Sequence, residues 1–184
     1  FHSRDIVKAL VYATLYGAGN GKLGELANKD RNEAGIKTVA KSQEPKLGAQ
    51  IRKRVENGIL GFGQLDAVCK AKDKKQGCIK GLDGRRVDTA GQHSALNTAL
   101  QSAGAIVVKK AIELFHFELC VEAGLVDEDY MPVGWNYLAQ VHDEVQLTAE
   151  PEKAEQLGKL FKQAIQLAGE RLGLRCQLDG EYMI

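Results

Sequence analysis

No stretch of this sequence is long or apolar enough to cross a bilayer, since its apolar runs fall well short of the ~20 residues that a spanning helix needs. No secretory signal pattern opens it. Together these absences predict a protein with no membrane-spanning helix. The chain begins with Phe1 rather than Met, so residue 1 is expected not to be a natural start. The four cysteines, Cys69, Cys78, Cys120 and Cys176, have no paired metal-ligand spacing, which argues against zinc and for free thiols in a cytosolic protein. Internal repeats and low-complexity tracts are missing. A phosphate loop is missing too. In Gly17-Ala18-Gly19-Asn20-Gly21-Lys22, no glycine precedes Gly21-Lys22 by five residues, and Leu23 stands where Ser or Thr is needed. The segment follows a helical pattern, whereas a dinucleotide fingerprint follows a strand.

What is present is enough for one ordinary domain. The chain has 184 residues, 44% hydrophobic and 27% charged. Net charge is only +1, but its distribution is uneven. Residues 1–80 hold 16 Lys+Arg against 8 Asp+Glu, and residues 81–184 hold 9 against 16. A basic first half fits a phosphate-facing surface, and an acidic second half fits a region that holds metal ligands.

The most organised stretch is Ser3 to Tyr16. Arg4, Lys8, Tyr12 and Tyr16 recur every four residues and therefore share one face of a helix, with Ser3 as its N-cap. Two cations at a helix start, where backbone N–H groups point outward, suit a polyphosphate, and two rings further along suit a sugar and a base. A surface helix with solvated charges has the same spacing.

The Gly17 to Gly24 segment reads as a flexible hinge. Helical patterns resume near Glu25, over Ala49 to Asn57 with Gly58 as a stop, and from Leu65 to Lys70. The lysine-rich Lys70 to Lys75 reads as a solvated loop, or as a segment near template phosphates. Cys78 to Thr89 reads as a hairpin turning at Asp83-Gly84, with Arg85 and Arg86 on opposite faces. His93 to Glu122 is one long helical pattern, with His93, Asn97 and Gln101 as a polar stripe at its start. Asn and Gln both donate and accept hydrogen bonds, which suits minor-groove base edges, although a solvated polar face is the alternative. Tyr137–His142 and Val145–Thr148 read as strands joined through Asp143-Glu144. An amphipathic helix over Pro151–Leu172 and a short strand over Leu174–Leu178 complete the chain. Trp135 reads as core.

Four of these segments carry a resemblance: Arg4-x3-Lys8-x3-Tyr12-x3-Tyr16-Gly17, Gly81-Leu82-Asp83-Gly84-Arg85, Ala95-Leu96-Asn97-Thr98-Ala99-Leu100-Gln101-Ser102-Ala103-Gly104-Ala105, and Val141-His142-Asp143-Glu144. In this order they resemble family A DNA polymerases, most of all the replicative enzymes of short-tailed phages, and the first resembles the fingers (O) helix. The resemblance implies an α+β fold: a mostly helical fingers subdomain over residues 1–77 and a partial palm with a small antiparallel sheet over 78–184. It implies part of a DNA-directed DNA polymerase that works by two-metal, template-directed nucleotidyl transfer. Expected partners are primer–template DNA, dNTPs, two Mg²⁺ ions in the complete enzyme and the missing N-terminal polymerase segment, in the cytoplasm of a bacterium or phage-infected cell.

By the same resemblance, Asp143 is a metal ligand with Glu144 nearby, and Lys8 meets the α/β-phosphates. Arg4 holds the γ-phosphate, Tyr12 lies against the sugar and Tyr16 stacks at the template base. His93, Asn97, Gln101, His142 and Arg85 meet primer–template. No D-x-S-x-x-E-L-R-like segment supplies the family's other aspartate, and thumb and exonuclease regions have no counterpart. The chain is therefore expected to be a fragment, inactive alone. The alternatives are a non-catalytic nucleic-acid-binding module and a subunit of a split polymerase.

Overall fold

A computed structural model describes residues 2–184. They form two compact units, one running to Lys80 and resuming over Arg86–Leu100, the other comprising Gly81–Arg85 and Gln101–Ile184. Helices dominate, and the strands form two separate two-stranded antiparallel sheets, so the α+β class holds.

The first unit opens with α1 (Arg4–Leu15). Ser3 is extended (φ −103°, ψ 125°), and its Oγ accepts the Ile6 N–H at 3.4 Å, as an N-cap should. Ile6, Leu10 and Thr14 form the buried face of α1, and the first two join Leu23, Ala27 and Ile51 in one core. Leu23 and Ala27 belong to α2 (Asn20–Glu33) and Ile51 to α3 (Glu44–Gly58), and a single 3₁₀ turn over Lys41–Gln43 leads into α3.

The glycine-rich segment after α1 is much shorter than a hinge over Gly17 to Gly24. Helix α2 already begins at Asn20, leaving Gly17–Gly19 as the link. The reason is packing. A Cβ on Gly24 would collide with the Glu44 carbonyl, and one on Gly48 with the Asn20 carbonyl. These two glycines let α2 and α3 approach backbone to backbone, which compensates their poor helix propensity.

Helix α4 (Phe62–Gln76) runs between two left-handed glycines, Gly61 (φ 80°) and Gly77 (φ 65°). The lysine-rich segment Lys70 to Lys75 is therefore helical rather than a loop. Phe62 and Cys69, two turns apart, turn one side of the helix inward, while Lys70, Lys72, Lys74 and Lys75 remain exposed. Strands β1 (Cys78–Lys80) and β2 (Arg86–Asp88) pair in register Cys78↔Asp88 and turn through Asp83-Gly84 as expected. Ile79 and Val87 from this hairpin pack with Phe62, Cys69, Ala95 and Leu96 in the unit's other core.

Helix α5 (Ala95–Leu114) continues through a π turn (Phe115–Leu119) into α6 (Cys120–Glu122). The single long helix expected is thus present, starting at Ala95 rather than His93; His93 lies in the preceding turn. In the second unit Phe115, fully buried at the π turn, packs edge-on against Trp135 (5.2 Å) and Phe161 (5.0 Å). Trp135 is core, its indole N–H donating to the Leu125 carbonyl at 2.7 Å. Burial pushes the Cys120 thiol up to about 12, which suits a structural thiol.

Strands β3 (Trp135–Val141) and β4 (Glu144–Ala149) form the second hairpin, with a register shift at Tyr137/Ala139 that leaves Leu138 bulged. Helix α7 (Pro151–Arg171) closes the core with Leu157, Ala164 and Ala168. The expected strand over Leu174–Leu178 does not form. Gly173 (φ 69°) turns the chain back on α7, where Leu178 packs over Gly169 and Tyr182 over Gly158. The tail follows a helix groove and has no strand partner among the described residues.

Candidate functional site

Arg4, Lys8, Tyr12 and Tyr16 are all exposed, on the side of α1 opposite Ile6, Leu10 and Thr14. Tyr12 and Tyr16 stack with centroids 6.0 Å apart and planes 17° from parallel. The Lys8 ammonium lies 5.8 Å from the Tyr12 ring centroid, a cation–π distance. Arg4 and Lys8 make no ion pair among the described residues. The face is thus a row of two uncompensated cations followed by a pair of stacked rings.

Both ends of this helix are held by side chains outside the row. At its start, the carboxylate of Asp30 on α2 accepts the Ser3 N–H at 2.9 Å and the His2 N–H at 3.1 Å. The Ser3 N–H, and to a lesser degree that of His2, keep the Asp30 carboxyl below the usual carboxylate range against the opposing effect of burial. At its end, Arg52 on α3 donates to the Ala18 carbonyl and, at 2.9 Å, to Asn20 Oδ1. Gly17 (φ 75°) sits so close to the His93 carbonyl that a Cβ would collide with it. His93, Arg52, Glu56, Asp66 and Lys70 help line a small charged recess of about 20 Å³ there, room for roughly one water.

Neither Asp30 nor Arg52 was reached from the sequence. Asp30 had a usable signal, because it occupies the inward helical slot of α2 after Leu23 and Ala27, where a carboxylate needs an internal partner. Arg52 had none, since one basic residue of the Arg52-Lys53-Arg54 run looks like the next.

Asn97 stands on the first turn of α5, in the first unit, and its Oδ1 is buried without a hydrogen-bond partner among the described residues. Gln101, four residues on, belongs to the second unit. Arg85 is committed at short range: its guanidinium pairs with Asp83 at 2.5 Å, and that pairing holds the Asp83 carboxyl low.

In the second unit Val141 pairs with Glu144, so His142 and Asp143 alone make the turn between β3 and β4. His142 is left-handed (φ 54°), an uncommon state for a residue with a Cβ. Asp143 is exposed at the tip. Glu144 is the first residue of β4, and its Oε1 accepts the Gln146 amide at 2.7 Å. Among the described residues no group of three or more His, Cys, Asp or Glu side chains could hold a metal ion by itself. No helix is long and apolar enough to cross a membrane among them either.

Comparison with known proteins gives a consistent result. The profile of DNA polymerase family A matches residues 2–183. The DNA-directed DNA polymerase of Enterobacteria phage T3 is 35% identical over 186 residues, covering 97% of this chain and 25% of the phage protein. That of Escherichia phage T7 has the same identity and coverage. DNA polymerase I of Aquifex aeolicus is 27% identical over 98% of this chain and 29% of that protein. The chain thus spans about a quarter of the length of these relatives. Among solved structures, the POL domain of Pol1 from M. smegmatis, in complex with DNA primer-template and dNTP, superposes with TM-score 0.65 over 90% of this chain and 27% of its own, at 19% identity.

Proposed function

Because the chain belongs to DNA polymerase family A, we propose that it supplies the fingers (residues 1–77) and the second half of the palm (78–184) of a DNA-directed DNA polymerase that extends a primer from dNTPs on a template. The observation that carries this reading is the α1 face, where Arg4 and Lys8 have no anionic partner among the described residues and Tyr12 and Tyr16 are already stacked behind them. A triphosphate would supply the missing anion, and the rings would bracket sugar and base.

The chain's own residues then divide the work. Arg4 binds the γ-phosphate. Lys8 meets the α/β-phosphates, where charge builds on the leaving pyrophosphate, so it contributes more to rate than to binding. Tyr12 lies against the sugar and Tyr16 against the template base. His93, Asn97, Gln101, His142 and Arg85 meet primer–template DNA. The orphan Asn97 Oδ1 suits a donor such as the guanine N2 amino group in the minor groove.

Asp143 fits a share of a metal site: an exposed carboxylate at a turn tip, one of the few protein ligands that Mg²⁺ takes beside substrate phosphates. Glu144 stands next to it. Two divalent ions held there with the help of Asp143 would supply activation of the primer 3′-hydroxyl and compensation of charge on the leaving pyrophosphate. The second palm aspartate and the remaining N-terminal polymerase segment would come from outside these residues, so the 184-residue chain alone should not extend a primer.

Primer extension tests this directly. The purified chain is expected to be inactive and to gain activity when a polypeptide carrying the missing palm strand is added. Extension by the chain alone overturns the division of labour. The alternative, a non-catalytic module binding nucleic acid through the exposed lysines of α4, predicts that Asp143→Asn leaves the rate of the reconstituted enzyme unchanged.

A further inference from the structure

Among the described residues Asp30 is the only charged side chain that is buried, at 2% exposure. Nothing in the nucleotide-facing row explains it, and a buried carboxylate is costly unless its oxygens are bonded. Its partners are not side chains. Oδ1 accepts the N–H groups of Ser3 (2.9 Å) and His2 (3.1 Å), and Oδ2 accepts the latter at 3.2 Å. The carboxylate thus grips the N–H groups of the two residues immediately before Arg4.

We propose that Asp30 is a positioning residue that fixes the start of α1 so that Arg4 reaches the terminal phosphate of a nucleoside triphosphate. The inference rests on the reading of α1 as the nucleotide-facing helix. Arg4 is the first residue of that helix, and its side chain is long, so its reach depends on where its own Cα is held. Lys8, Tyr12 and Tyr16 stand further along, where Leu10 is held in the core and Thr14 is buried. The Asp30 charge also offsets the positive end of the helix from within. With Ser3 Oγ on the Ile6 N–H and Asp30 on the amides ahead of it, the side chains of Arg4 and Lys8 are left to read the phosphates.

Calorimetric titration of the 184-residue chain with dTTP and with dTDP, both with Mg²⁺, tests this. The wild-type chain is expected to prefer the triphosphate. Arg4→Ala and Asp30→Ala should each reduce that preference about tenfold, the size of one lost charge-assisted contact, with dTDP affinity nearly unchanged. The double variant should lose little more than either single one, because both act on the same contact. Asp30→Asn keeps one acceptor oxygen and should give a smaller loss in the same direction; it decides the matter if Asp30→Ala does not fold. An Asp30 variant that is less stable but keeps the full triphosphate preference overturns the proposal and leaves Asp30 a structural residue. If the wild-type chain shows no triphosphate preference and Lys8→Ala has no effect on either nucleotide, the nucleotide-facing reading fails and this inference with it.

Discussion

Helices α1 and α7 are both amphipathic and both carry cations on their outer faces, yet they treat those cations differently. On α7 every basic residue has an acidic partner: Lys153 with Glu150, Lys159 with Glu155, Lys162 with Asp179 and Arg171 with Glu118. On α1 neither Arg4 nor Lys8 has one among the described residues, although Asp5 is near in sequence. A helix whose charges are matched internally is finished as it stands. One whose charges are unmatched, and whose neighbouring rings are already stacked, fits the role proposed for α1, binding an anion with a flat group behind it.

The largest expected difference between the two helices is in rate. In the reconstituted polymerase, Lys8→Ala should lower kcat by about 10²–10³, the cost of removing one positioned electrostatic group, while Lys159→Ala on α7 should leave kcat unchanged in single-turnover extension assays. Comparable losses from both would end the contrast. A second comparison concerns how α1 is supported. Gly48→Ala pushes α3 off α2 and should cost about 1–3 kcal/mol in denaturant unfolding, whereas Gly19→Ala, with open space around it, should cost little.

Acid should test how α1 is supported. Asp30 has a depressed carboxyl in the folded chain, so the stability it contributes is present above its ordinary value of 3.8 and is lost as pH falls through the lower folded value. Thermal unfolding of the wild type should therefore fall more steeply below that pH than unfolding of Asp30→Asn. Identical acid limbs would remove Asp30 from the account. The smallest effect expected is from giving α1 what α7 has. Val7→Glu places a carboxylate three residues after Arg4, and should weaken triphosphate binding by only about twofold.

The sequence showed the α1 face because four positions at a fixed interval form a pattern that needs no tertiary knowledge. The Asp83-Gly84 hairpin, the long helix through Glu122, the buried Trp135 and the turn at Asp143 were legible for similar local reasons. What escaped depended on what lies across from a residue. Gly24 and Gly48 look like helix breakers until a second backbone is found against them. Lys70 to Lys75 looks like a loop until Phe62 and Cys69 fix its inward side. Leu174–Leu178 has the composition of a strand, but the groove of α7 competes successfully for its side chains. Asp30 and Arg52 are invisible for the same reason, since each acts on backbone atoms distant in sequence.

The hairpin that presents Asp143 has no slack. Val141 and Glu144 already face each other, so a single inserted residue would rotate a different side chain to the summit, and a single deletion would leave too little chain to reverse direction. The bulge at Leu138 shows that β3 accommodates an extra residue within its length, whereas the two-residue turn between Val141 and Glu144 has no such room. The spacing of this segment is therefore constrained more tightly than its composition.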